Sequence, residues 1–114
     1  MAQKRMFSLA IIDSDSFLDM PASSKCLYYD LGMRADDDGF VNPRKVLRLT
    51  GAAQDDLKLL VVKGFVIPFA NGIIVITHWK QNNYIQKDRY VETIYKEEKE
   101  YLKLDKNNFY RLTA

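Results

Sequence analysis

Three cations within five residues, Arg44, Lys45 and Arg48, carry the charge pattern in this sequence that says most about chemistry. At about 100° per residue of a helix they fall on one side, while Val46, Leu49 and Thr50 fall on the other. Such a compact stripe can neutralise phosphates. It can also be an ordinary solvated helix face, and pattern alone leaves the two readings level. A second set follows further on, where Lys80, Gln81, Asn82, Asn83, Tyr84, Gln86, Lys87, Arg89 and Tyr90 interleave cations, amides and aromatic rings. Cations meet phosphates, amides bond to bases or backbone, and tyrosines stack or bond to phosphate. The alternative is a polar strap in which Trp79, Tyr84 and Tyr90 pack down on the domain, and both readings can hold for different residues. Lys4 and Arg5 read as a flexible basic arm or a solvated terminus.

Catalytic chemistry finds little support. His78 is the single histidine, beside Trp79 in an apolar run, and reads as a packed or hydrogen-bonded side chain. Asp36-Asp37-Asp38-Gly39 has the acidity of a calcium loop, but its ligands do not alternate correctly and Leu47 stands where the bidentate glutamate belongs. A turn stabilised by its own carboxylates is the expectation. One Cys and one His make no zinc set, there is no glycine-rich phosphate loop, and Glu97 to Glu100 read as a charged helix face. We therefore expect no enzyme, no cofactor and no metal.

The chain has 114 residues, 47% of them apolar and 12% aromatic, which suits one domain with a real core. Formal net charge is +2, short of the balance of a dedicated nucleic-acid binder, so any DNA contact must come from clustering. Cys26 cannot form an internal disulfide and is expected as a small buried hydrophobe in a reducing cytoplasm. No apolar run approaches the roughly 20 residues that span a bilayer, and Met1 to Met6 is basic and polar without a signal-type core behind it. The expectation is a soluble, cytoplasmic protein with no membrane partner.

The elements that must position these residues can be read in order. Phe7 to Ile12 is expected as an extended apolar lead-in, followed by a brief helix capped by Asp13, Ser14 and Asp15 and stopped by Pro21. A helix from Ser23 or Ser24 turns Leu27, Tyr28 and Leu31 inward and leaves Lys25 and Asp30 to solvent. Phe40-Val41 is a strand-like step. Asn42-Pro43 starts a helix that runs to Gly51, and Gln54 to Lys63 forms another with acidic residues in its first turn and Gly64 at its end. Phe65 to Phe69 and Ile73 to Trp79 then form a hairpin about Ala70-Asn71-Gly72. Helix, short strand, helix, turn, helix and hairpin is the wiring of a winged helix. The fold class expected is α+β, a winged helix-turn-helix with a β-hairpin wing and an added C-terminal helix. That helix is expected from Val91 to Leu102, with Ile94, Tyr95, Tyr101 and Leu102 on one face, followed by a short strand over Phe109 to Leu112. The winged helix occupies residues 1–90, with 91–114 packing on it.

Position makes Gln54 to Lys63 the recognition helix, yet its cations are only Lys58 and Lys63, and Asp55 and Asp56 repel phosphate. Base reading by this helix is not expected. Leu57, Leu60 and Val61 supply its core face, so Leu59 and Val62 project to the polar side, toward the wing, the C-terminal segment, another subunit or burial in the monomer. The wing is almost uncharged, and Pro68 marks its first strand as an edge. Phe109 to Leu112 or a neighbouring chain could close that edge. Leu59, Val62, Phe69 and Ile73 are thus the candidate oligomer contacts.

Separated strings in this order, FLDMP at Phe17 to Pro21, LGMRADDDGFV at Leu31 to Val41, DDLKLL at Asp55 to Leu60 and IVITHWKQNNYIQKDRY at Ile74 to Tyr90, resemble the N-terminal domain of replisome organisers. These are replication initiator proteins of phages and prophages of Gram-positive bacteria. The resemblance covers nearly the whole chain. It implies a winged helix that binds double-stranded origin DNA in the bacterial host or assembles the protein into a homo-oligomer. It also implies a DnaD-like region beyond Ala114 that engages host helicase-loading machinery. Under this reading Arg44, Lys45, Arg48, Lys58, Lys80, Lys87 and Arg89 are the candidate DNA contacts. The alternatives are a homo-oligomerisation module with DNA bound elsewhere and a transcriptional regulator on the same fold.

Overall fold

The computed structural model describes residues 4–113; Met1 to Gln3, the start of the basic N-terminal stretch, and Ala114 lie outside the described residues. Two single-turn helices open the chain, α1 (Leu9–Ile12) and α2 (Asp15–Leu18). The Ser8 hydroxyl accepts from the Ala10 amide and the Ser14 hydroxyl from the Phe17 amide, so each turn starts on its own serine cap. The extended lead-in expected over Phe7 to Ile12 is therefore a helical turn in its second half. Beyond Pro21, α3 (Ala22–Arg34) buries Leu27, Tyr28 and Leu31 as its spacing requires.

The short strand β1 (Phe40–Val41) leads into α4 (Pro43–Thr50), where the Asn42 side-chain oxygen accepts from the Arg44 amide at 3.1 Å. Gly51 ends α4 in the left-handed conformation, φ 73°, which costs a glycine little. In α5 (Gln54–Val62) the Asp56 carboxylate reaches back to the Ala53 amide at 3.0 Å and secures the free first turn. Strands β2 (Val66–Pro68) and β3 (Ile74–Ile76) follow. The sheet order is β1-β3-β2, antiparallel throughout, with Val75 opposite both Phe40 and Ile67. β2 is an edge strand, the place in a sheet that tolerates Pro68. The core lies between this sheet and α3 to α5, where Phe17, Tyr28 and Phe65 meet edge to face and Leu60, Val46, Val66 and Val75 are buried.

After the sheet come α6 (Trp79–Asn82), α7 (Lys96–Glu100) and a second hairpin, β4 (Leu102–Leu104) with β5 (Tyr110–Leu112). The long helix expected over Val91 to Leu102 is thus five residues, and Ile94 and Tyr101 are exposed. The Val91 and Thr93 amides are taken by the carboxylates of Asp37 and Asp38, and the Tyr95 amide, which a helix from Val91 would pair with the Val91 carbonyl, donates to the Thr93 hydroxyl instead. The strand over Phe109 to Leu112 pairs with β4, not with β2, and the Tyr110 amide donates to the Thr77 carbonyl at 2.9 Å. Among the described residues the fold is an α+β arrangement of seven helices and two small antiparallel sheets. None of those helices is long and apolar enough to cross a membrane.

Candidate nucleic-acid interface and the aspartate turn

In α4, Pro43 and Val46 are buried, Leu47 is half-buried, and the Thr50 hydroxyl donates to the Val46 carbonyl at 2.9 Å. With Pro43, Val46 and Leu47 as its inner stripe, the helix turns Arg44, Lys45 and Arg48 outward, all exposed. None of the three takes part in a salt bridge among the described residues. Leu49, expected on the inner side, is 59% exposed. It lies off the inner stripe that Pro43, Val46 and Leu47 define.

The other candidate cations divide. Lys58 is exposed on α5 beside exposed Asp55, and Lys87 and Arg89 are exposed in a turn where the Gln86 carbonyl accepts from the Arg89 and Tyr90 amides. Lys80 is partly committed, with its Nζ 4.0 Å from Asp38 and 5.9 Å from the Tyr90 ring centre. Among the aromatics Trp79 is buried, Tyr90 is half-buried and Tyr84 stands 79% exposed. The amides of Asn82 and Asn83 are buried and serve structure: Asn83 accepts from the Met6 amide, while Asn82 accepts from the Ser8 amide and donates to the Tyr28 hydroxyl.

A dense polar network is built on the aspartate turn. Asp36 accepts from the amides of Asp38 and Phe40, as a self-stabilised turn should, and burial pushes its carboxyl above the ordinary value despite the Thr93 hydroxyl bond. Asp37 and Asp38 reach further. Arg5 meets the Asp37 carboxylate at 3.2 Å, donates to the Ala35 carbonyl at 2.7 Å and stacks over Trp79. Its side chain is almost fully buried, which corrects the expected flexible or solvated arm. Both Asp38 oxygens accept from the Tyr90 hydroxyl, one also accepts from the Thr93 amide, and Lys99 lies 3.4 Å away. Burial works against the Lys99 charge, yet Tyr90 and Asp38 outweigh it and raise its affinity for the proton. The backbone joins in, as the Trp79 indole donates to the Asp37 carbonyl and the Tyr110 hydroxyl to the Asp38 carbonyl. Gly39 has φ 93° and an added Cβ would lie 2.6 Å from Trp79 Cγ, so only glycine fits. These partners were not visible in the sequence, since they lie 32 to 72 positions away.

His78 packs edge to face against Phe109 at 4.7 Å and Phe65 at 5.4 Å. Burial, helped by the Arg111 charge and opposed by Asp105, lowers its pKa to about 4, so it is neutral at neutral pH. Cys26 is exposed, which corrects the expectation that it is buried. It follows buried Ser24 on α3 by two positions, off the face that carries Leu27 and Tyr28 into the core. Among the described residues no group of three or more His, Cys, Asp or Glu side chains is placed to share a metal ion. Of the candidate oligomer contacts, Ile73 is buried in the core and Phe69 is half-buried against Phe40 at 5.9 Å; Leu59 is half-buried, and Val62 is 81% exposed. The turn between β2 and β3 is tied down by the Asn71 side-chain amide, which donates to Glu98. No family model matches the chain, and no curated protein or solved structure is significantly similar to it.

Proposed function

We propose that this chain is a winged-helix module that binds duplex DNA through the phosphate backbone and does no chemistry of its own. The observation that carries the reading is the state of α4: Arg44, Lys45 and Arg48 stand exposed on one helix face with no salt bridge among the described residues. The order α3, β1, α4, α5, β2, β3, with β1 paired to β3, supports the winged-helix assignment. In a helix-turn-helix the first helix of the pair crosses the sugar-phosphate backbone, so cations on α4 position the protein without reading sequence. Asp55 beside Lys58 makes α5 a poor reader of bases. Lys87, Arg89 and the exposed ring of Tyr84 offer a second set of contacts.

The resemblance of the separated strings to replisome organisers supports the narrower reading that the duplex is a phage replication origin and that a region outside this chain recruits host helicase-loading machinery. The test is a titration of the domain with phage origin DNA and with a random duplex of equal length, repeated with Arg44→Glu/Arg48→Glu. The double reversal is expected to weaken both by at least about 30-fold. Unchanged affinity removes α4 from the interface. A second reading, self-association through α5, is favoured by the exposure of Val62. Light scattering at high concentration that finds only monomer ends it.

A further inference from the structure

Beside the cationic stripe, a cleft of about 680 Å³ opens between the end of α3, the flank of α4 and the stretch from Val91 to Tyr95. Its walls carry Met33, Leu49, Val91 and Ile94, which are 48, 59, 53 and 83% exposed. Apolar residues scattered singly over a surface need no explanation, but four from three separate stretches around one cleft mark a binding surface. The fold holds them there. Thr93 is buried with its amide on Asp38 and its hydroxyl on Asp36, which leaves its neighbour Ile94 turned to solvent.

Charge selects the occupant. Lys45 lines the cleft and Arg48 stands beside it on α4, neither with a salt bridge among the described residues. On the opposite wall Glu92 is already neutralised by Lys96 at 3.7 Å and Lys99 at 3.3 Å. Asp36 also lines the cleft, but its carboxylate is taken up by the Asp38 and Phe40 amides and the Thr93 hydroxyl, so the charge left open at the rim is positive, while the walls are apolar. Duplex phosphates would use the first and have no use for the second. A second copy of this chain fits poorly through its acidic helix, because α7 (KEEKE) brings no apolar side chain.

We propose that this cleft docks an acidic amphipathic segment of a partner protein, its apolar side chains set between Leu49 and Ile94 and its flanking carboxylates on Lys45 and Arg48. The inference does not rest on the DNA reading. It is tested with two display libraries of 16-residue peptides sharing one randomised apolar helical face, one with Asp and Glu on the flanks and the other with Lys and Arg. The acidic library should yield binders and the basic library none. Ile94→Ser and Met33→Ser should each weaken the selected peptides about tenfold, and Lys45→Glu should exchange the preference to basic peptides. Ile94 is so exposed that its serine variant should keep the fold, and its affinity for duplex DNA should not change, which separates this proposal from the preceding one. Equal enrichment from both libraries, no binders from either, or selected peptides indifferent to Ile94→Ser would each overturn it.

Discussion

The turn at Asp36 to Gly39 and the helix α4 are separated by three residues in sequence and use charge in opposite ways. In the turn, Asp37 and Asp38 are buried and met by Arg5, Tyr90, Thr93 and Lys99. On α4, three cations are exposed without a salt bridge among the described residues. A buried charge is tolerable only when it is paired and hydrogen-bonded, so carboxylates in the turn must hold distant parts of the chain together. An exposed cation carries no such obligation and remains available to a partner. The difference separates charge that makes the fold from charge that can do work outside it.

The comparison is broken most severely by removing Asp38. Asp38→Ala leaves the Tyr90 hydroxyl, the Thr93 amide and Lys99 without their common acceptor, and should cost about 3 kcal/mol or more in urea unfolding. A loss under about 1 kcal/mol would mean that the network is decorative. Acid sharpens the contrast from another direction. His78 has a folded pKa of about 4 against an ordinary value of 6.5, so between these limits the unfolded chain binds a proton that the folded chain refuses. Stability from this group is complete above pH 6.5, declines as pH falls toward 4, and stops declining below it. At pH 4.5 the loss should be about 2.5 kcal/mol by this linkage, and His78→Gln should flatten thermal unfolding over the same window. Next in size, Gly39→Ala drives a Cβ into Trp79 in a left-handed backbone and should cost about 2 kcal/mol by denaturant unfolding. The smallest effect falls on α4. Arg44→Glu/Arg48→Glu should move stability by no more than about 0.5 kcal/mol, since exposed side chains outside such networks rarely do more.

The sequence was most legible where a residue acts on its near neighbours. Asn42-Pro43 and Gly51 bound α4, Asp56 secures the start of α5, and Asn71-Gly72 turn the β2–β3 hairpin, because capping and turn chemistry reach only a few positions along the chain. The outward cations of α4 follow from the same local periodicity. Less was legible where a polar group finds a distant partner. Val91 to Tyr95 has helical spacing, but its polar groups are held by Asp36, Asp37 and Asp38 from 54 to 57 positions away. Arg5 looks like a free arm until Asp37 and Trp79 are folded against it. Asn82 and Asn83 have the composition of nucleic-acid contacts, and the N-terminal backbone claims them instead. Counting turns sets Leu49 opposite the α4 cations and Ile94 on one helix face with Tyr95, Tyr101 and Leu102, and the exposure of both emerges only once α4 is seated and Thr93 anchored.

The central claim, that the charge on α4 is held in reserve for a phosphate backbone, is tested most directly by salt. Binding of a random-sequence duplex should be measured from about 50 to 200 mM NaCl for the wild-type domain and for Arg44→Ala/Lys45→Ala/Arg48→Ala. Each phosphate contact contributes close to 0.9 to the slope of log K against log salt, so the triple variant should show a slope shallower by about 2 to 3. Parallel lines, with the wild-type slope retained, would contradict the account.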